Sequence, residues 1–335
     1  MDLKTLCELH GLSGNEGAVR KCLMEAARPL CDEVKIDRGG NLICLKKGTD
    51  PDAPAKVVAA HMDEVGFIVM GYTEDGRLRF RPIGGIDPRV VISKWVEVGE
   101  DKVPGIIGAM AIHLQTAADR ERVLDFDNLY IDIGAKDSKE AERLCPLGSY
   151  AAFDTPYTDF GEGLVCAKAL DDRVGCYTML RLLEHRYPGD LIACFVTQEE
   201  VGLRGSKTAA FGVEAEIAVV LEGTASNDMG DVPERAKVTR VGQGIAVSFM
   251  DGASIADREL FTQMLSLAEA ADIPCQVKQG VTGGNDAGSF QRSREGMRTI
   301  VLSVPCRYIH SGASVAAYAD IEAQYQLCKE FLSHE

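Results

Sequence analysis

Apolar and polar residues along the chain fall into two textures. In the first, helical stripes alternate with short runs that are wholly apolar. Leu3, Leu6, Cys7 and Leu9 form one stripe, and Val19, Cys22, Leu23 and Ala26 form the next. Their spacing predicts two helices within residues 1–31. Between them, Ser13-Gly14-Asn15-Glu16 matches a capping box, a Ser followed three residues on by Glu. Val34 and Ile36 alternate, Arg38-Gly39-Gly40-Asn41 has turn composition, and Leu42, Ile43 and Cys44 return, which predicts a hairpin. Residues 50–54 read as a polar, proline-containing loop, and residues 56–60 as an apolar strand that ends at His61.

The second texture occupies about 65–160. Helical periodicity survives there only in a short charged piece, 137–144. Short Val/Ile runs at 67–70, 78–80, 90–98, 106–108, 129–133 and 150–153 stand between Gly, Pro and Asp turns. Such a pattern predicts a small β-rich unit, sandwich or barrel. The first texture resumes at 164. Strands are predicted at 164–166, 191–197, 217–221, 245–249, 275–277 and 299–304, and helices after 171, at 206–211, 257–271 and 321–332. Strand and helix in alternation imply a mixed or parallel sheet with helices on both faces. The expected architecture is therefore α/β, a mixed sheet flanked by helices in residues 1–66 and 162–335, interrupted by an inserted β-rich unit at 67–161.

Composition narrows the function classes. At 335 residues the chain is long enough for two such units, and 46% hydrophobic with 26% charged residues is ordinary for a globular enzyme. A net charge of −15 and the lack of long Lys/Arg clusters argue against nucleic acid as a partner. No apolar run approaches the roughly 18 residues that span a bilayer, and the first twenty residues lack the pattern of a secretory signal. A cytoplasmic location is expected. The 11 cysteines form no Cys-x-x-Cys pair and many lie in apolar runs, so they read as reduced core residues rather than disulfides or thiolate ligands.

Chemistry gathers at strand ends. In open α/β sheets sites form at the carboxyl ends of strands, and here acids and histidines recur at those positions. The strand at 57–60 ends in His61-Met62-Asp63. The strand at 164–166 leads to Asp171-Asp172, the strand at 191–197 to Glu199-Glu200, and the strand at 217–221 to Glu222. The strand at 299–304 is followed by Arg307-Tyr308-Ile309-His310. Singly, each has an ordinary explanation: a helix cap for Asp171-Asp172, a core or turn histidine, a solvated glutamate pair. Together they would crowd desolvated carboxylates on one rim, which is costly without cations. Nitrogen plus carboxylate donors suit Zn²⁺, Co²⁺ or Mn²⁺. Two metals need a shared carboxylate, for which Asp171 is the candidate. Asp63 is placed to accept the other N–H of the His61 ring. Of Glu199 and Glu200, one can ligate while the other serves as general base.

These segments resemble the TET-type co-catalytic metallo-aminopeptidases, also described as glutamyl aminopeptidases or endoglucanase M. The resemblance rests on His61-Met62-Asp63-Glu64-Val65-Gly66, Ala169-Leu170-Asp171-Asp172-Arg173-Val174-Gly175, Thr197-Gln198-Glu199-Glu200-Val201-Gly202 and Arg307-Tyr308-Ile309-His310-Ser311. It extends to Tyr130-Ile131-Asp132-Ile133-Gly134-Ala135 in the insertion. It implies two divalent metal ions, zinc or cobalt with manganese also compatible. His61 and Glu222 would hold one, Glu200 and His310 the other, and Asp171 would bridge. Glu199 would be the general base and Asp63 the partner of His61. It further implies trimming of short peptides from a free N-terminus, a PDZ-like inserted unit that dimerises, and dimers that assemble into a tetrahedral dodecamer. His113 matches a histidine of the family's insertion. Glu222 stands where the family usually has Asp, and Gly283-Gly284-Asn285-Asp286-Ala287 replaces a Gly-Thr-Asp-Ala pattern, with Asp286 expected on the substrate side. A metal-dependent deacylase on the same scaffold, an endoglucanase and a non-catalytic binding protein are the other readings.

Overall fold

The structure is a computed structural model that describes residues 1–230 and 232–334. Among the described residues the strands sort into three assemblies. Eight strands form a mixed sheet in the order Glu33–Ile36, Leu42–Lys46, Leu191–Val196, Lys56–His61, Ile217–Ala225, Arg298–Cys306, Ile245–Ser248, Cys275–Val277. The four central strands run parallel to one another. Their side chains alternate between two cores. Val58, Ala60, Val219, Leu221, Ile300, Leu302 and Val304 join the core that includes the helices Leu170–Leu182, Arg258–Ala270 and Tyr318–Ser333. Val57, Ala59, Ala218, Val220 and Val301 join the core on the opposite face, with residues of the helices Arg204–Gly212 and Ala287–Gln291. Burial on both faces is why these strands read as mostly apolar runs and not as alternating ones.

The insertion is a closed barrel, not a sandwich. Its strand order is Gly66–Tyr72, Leu78–Ile83, Leu129–Asp132, Val103–Ala109, Trp95–Val98, Tyr150–Phe153, and the last pairs back with the first. Closure removes the exposed sheet edges a small β unit would otherwise present. Phe67 anchors its core, edge-on to Phe80 and Phe153 with ring centroids 5.0 and 5.1 Å away. A third assembly, antiparallel, joins Thr158–Phe160, Leu164–Ala167 and Ser314–Ala317.

Several local expectations change. The capping box does not form, because Ser13 Oγ donates instead to Asp63 Oδ2 (2.6 Å) and Glu16 makes no side-chain cap. The run at 90–98 is a strand only over Trp95–Val98, preceded by a 3₁₀ turn at Pro88–Val90. The strand expected at 217–221 continues to Ala225, so Glu222 lies inside it, opposite Ser303. Ser314–Ala317 was not expected as a strand. No helix of the described residues is long and apolar enough to cross a membrane.

Candidate metal centre

Asp171, the candidate shared carboxylate, and its neighbour Asp172 divide two tasks. Both have non-helical backbone angles ahead of the regular helix, and the peptide between them is cis. Asp172 is the cap: its Oδ1 accepts from Gly175 N–H (3.0 Å) and its Oδ2 from His61 N–H (3.1 Å). Gly175 is required there, since a Cβ would fall 2.6 Å from the Asp172 carboxylate. Asp171 turns the other way, with Oδ1 accepting from Gly223 N–H (3.1 Å).

The Asp171 carboxylate stands between the two histidines. His61 Nε2 is 3.4 Å from its Oδ1, and His310 Nε2 is 3.5 Å from its Oδ2. Glu222 Oε2 lies 3.6 Å from His61 Nε2, and Glu200 Oε2 3.3 Å from His310 Nε2. The other ring nitrogen of each histidine meets an acceptor. His61 Nδ1 faces the Asp63 carbonyl at 3.0 Å, and His310 Nδ1 faces the Gly85 carbonyl at 3.2 Å. A carbonyl can only accept, so Nδ1 carries hydrogen in both rings and Nε2 points at carboxylates. Either a second proton or a cation must lie between each Nε2 and those oxygens.

Donor atoms that could hold a metal ion lie within 4.8 Å of one another in three overlapping groups, His61–Asp171–Glu222, Asp171–Glu200–His310 and His61–Glu199–Glu200. Glu222 Oε1 is buried without a hydrogen-bond partner. The donor set is two imidazoles and several carboxylates, which fits borderline divalent cations. Asp63 organises the rim behind it. Its Oδ1 accepts from Glu199 N–H (3.0 Å) and its Oδ2 from Glu200 N–H (3.1 Å) and the Ser13 hydroxyl. One buried carboxylate thus fixes the turn that presents both glutamates.

Electrostatics show what this arrangement costs. Burial raises Glu199 and Glu222 well above the usual glutamate range, and surrounding carboxylates add to the shift against the relief from His61. Burial likewise pushes Glu200 up to about 7. Burial opposes charge on His310, yet Asp171 and Glu200 outweigh it and lift the imidazole to about 9. His61 is raised in the same way by Asp171 and Asp63 against its burial. Asp171 is held below its ordinary value because the two imidazoles overcome its burial, and Asp63, against its own burial, is lowered by His61, the Ser13 hydroxyl and the Glu199 N–H.

The profile of the M42 glutamyl aminopeptidases matches residues 40–327. The chain belongs to that family. As an M42 aminopeptidase it is a peptide hydrolase. Among curated relatives, the lysyl aminopeptidase of Pyrococcus furiosus is 34% identical over 346 residues, covering 98% of this chain and 95% of its own. A solved TET aminopeptidase from the marine sediment archaeon Thaumarchaeota archaeon SCGC AB-539-E09 superposes with a TM-score of 0.95 at 31% identity, covering 99% of this chain and 95% of that one. The TET1 peptidase of Pyrococcus horikoshii, whose structure is described as able to assemble into a tetrahedron or a large octahedral shell, is 33% identical. Its TM-score is 0.86, with 99% and 98% of the two chains covered.

In this M42 chain the structure brings His61, Asp63, Asp171, Glu199, Glu200, Glu222 and His310 together. His113 stands apart, on an exposed 3₁₀ turn of the barrel, Ile112–Leu114. Asp286 is wholly buried and close enough to Glu199 and Asp171 for its charge to act on them. Sequence reasoning missed a buried ion cluster directly behind the site. Glu64 accepts from Gly11 N–H (3.0 Å), from Lys168 Nζ (2.8 and 2.9 Å) and from Arg173 Nη2 (3.4 Å). Arg173 also donates to the carbonyls of Met62, Leu6 and Leu9. Two charged residues inside the quoted motifs, Glu64 and Arg173, and Lys168 immediately before the second of them were the available signal, since buried charges persist only when paired.

Two expectations follow. Raised carboxyls and imidazoles favour the protonated folded state, so their stabilisation is present at low pH and lost as pH rises. That window runs from the ordinary glutamate value to about 7 for Glu200 and from the ordinary histidine value to about 9 for His310. Asp171 acts oppositely, but only below the ordinary aspartate range. The melting temperature of chelator-treated protein should therefore fall from about pH 5 to about pH 9, and a divalent cation should raise and flatten that curve. A melting temperature that climbs with pH in the absence of metal would contradict this charge arrangement. Glu64→Ala should cost about 3–5 kcal/mol in urea unfolding, because Lys168 and Arg173 lose their counter-charge; a loss near that of an exposed ion pair would show that the cluster is solvated.

Proposed function

We propose that this M42 aminopeptidase removes N-terminal residues from short peptides with a pair of divalent metal ions and Glu199 as general base. The observation that carries the reading is the Asp171 carboxylate, each oxygen of which addresses a different histidine. His61 and Glu222 would hold one ion, Glu200 and His310 the other, and Asp171 both. Zinc, cobalt and manganese all suit these donors. When bound, such ions supply Lewis acidity, polarising the scissile carbonyl and making a nearby water more acidic. Asp63 keeps the His61 ring in its Nδ1–H form and holds the Glu199-Glu200 turn by its backbone. Glu199 takes the proton of the attacking water and returns it to the departing amine nitrogen. Burial first of all raises its pKa, which strengthens it as a proton acceptor. The barrel carries exposed Trp95, Met110, Ile112, Leu114 and Val123. Together with the assembly described for the Pyrococcus horikoshii relative, this supports a homo-oligomer built through the barrel, dimers joining into a dodecamer.

A panel of aminoacyl-p-nitroanilides, assayed with chelator-stripped protein and with Co²⁺ or Zn²⁺ restored, tests the chemistry. Release should depend on metal and fail on N-acylated substrates. Cleavage of the acylated set alone would favour a deacylase, and chelator-resistant hydrolysis of a β-glucan an endoglucanase. Glu199→Gln should retain metal binding while kcat falls by about 10²–10⁴-fold; a near-normal rate would remove Glu199 from the role of base. For assembly, light scattering on the eluting protein should report twelve chains, and a monomer at micromolar concentration would overturn that part.

A further inference from the structure

The two histidines of the centre are held by different parts of the chain. His61 is 1% exposed, and the acceptor for its Nδ1–H lies only two residues away. His310 is 37% exposed and sits in a loop with left-handed backbone at Tyr308 and at His310 itself. The acceptor for its Nδ1–H is the Gly85 carbonyl, just beyond the second strand of the barrel. The barrel grips the same loop twice more. The Thr155 hydroxyl, on the segment leaving the barrel, donates to the Gly312 carbonyl. The Phe153 ring packs so closely on Gly312 that a Cβ there would lie 2.9 Å from it. The turn that carries Gly85 is itself wedged against Glu200. Gly84 has φ +82°, and a Cβ on it would fall 2.7 Å from Val65 Cγ1 and 3.4 Å from Glu200 Cβ.

We propose that the barrel is a working part of the metal centre: through Gly85, Thr155 and Phe153 it positions His310. Its seating on the α/β body sets the affinity of the Asp171–Glu200–His310 position and leaves the His61–Asp171–Glu222 position unaffected. The proposal rests on the two-ion reading above. Its physical basis is that an exposed imidazole on a loop must be ordered before it can ligate. The hydrogen bond on its other nitrogen fixes tautomer and ring direction together, and loss of such a partner typically weakens metal binding about 10–100-fold. Gly85, Thr155 and Phe153 are positioning residues; none contributes a ligand atom.

Titration of the chelator-stripped full-length protein with Co²⁺, followed by calorimetry and by visible absorption, tests it. The unaltered protein should take up two equivalents. Gly84→Ala, which pushes the barrel turn off Val65 and Glu200, should weaken one equivalent about 10–100-fold and alter its absorption band. The other equivalent should keep its affinity and spectrum. Thr155→Val keeps the side-chain shape and removes only the tie to Gly312, so it should shift the same equivalent in the same direction by a smaller factor. It also keeps the test decisive if Gly84→Ala fails to fold. Equal weakening of both equivalents, or two unaltered equivalents in Thr155→Val, would overturn the proposal. Fewer than two equivalents in the unaltered protein would instead overturn the two-ion reading, and this proposal with it.

Discussion

The rest of the site depends on one constraint: several carboxylates sit in a desolvated rim where they repel one another. Glu199, Glu200, Glu222 and Asp171 are drawn together by the turn after Leu191–Val196, the strand Ile217–Ala225 and the start of the helix Leu170–Leu182. Burial raises Glu199, Glu200 and Glu222 above the usual glutamate range. The two imidazoles relieve this only in part: they hold Asp171 below its ordinary value but leave the three glutamates raised. Positive charge from outside the chain is the remaining way to let all the carboxylates ionise at neutral pH. The fold tolerates this unfavourable cluster because its backbone is over-determined: Asp172 caps the helix, Asp63 holds the glutamate turn, and Gly223 N–H fixes Asp171.

Much of this was legible from residue order because parallel strands buried on both faces leave an unmistakable trace. Val57 to Ala60 and Ile217 to Leu221 are apolar without a break, and the first polar residues beyond such runs, His61 and Glu222, are ones that reach the rim. The barrel was legible as β-rich but not as closed, since closure depends on the pairing of Phe67 with Ala151, far apart in sequence. Ser13 and Glu16 misled for a physical reason. A capping box is a local motif that asks the Ser oxygen to accept from a helix N–H, but the Ser13 hydroxyl is drawn away to donate to the buried Asp63 carboxylate, a charge-assisted bond. The Glu222 strand was cut short because a charged residue ends an apolar run by pattern, whereas here the backbone ladder simply continues through it.

What no pattern could reveal is the work done by main-chain groups. The Gly85 carbonyl has no side chain to announce it, and the Gly84-Gly85 pair reads only as a turn. Similarly, Glu64 and Lys168 were visible as residues but not as partners, being 104 positions apart. Long-range pairing of buried charge is the part of a fold least recoverable from local sequence, because each member alone looks like an ordinary surface residue.

The pairing of Glu64 with Lys168 explains why an inserted barrel can share in the chemistry at all. The chain leaves the α/β body immediately after His61-Met62-Asp63 and returns immediately before Asp171, so both necks of the insertion are segments that carry the site. A flexible connection at either neck would loosen the rim. Instead the outgoing neck ends in Glu64 and the returning neck in Lys168, and the two are joined by a buried ion pair that Arg173 reinforces from the capped helix. Such a pair adds little net stability over an apolar substitute, but breaking it exposes unpaired charge to a dry interior. It acts as a staple at the base of the barrel and stands close to the barrel's other grip on the site: Glu64 and Lys168 line the same small cavity as Phe153, Glu200 and His310.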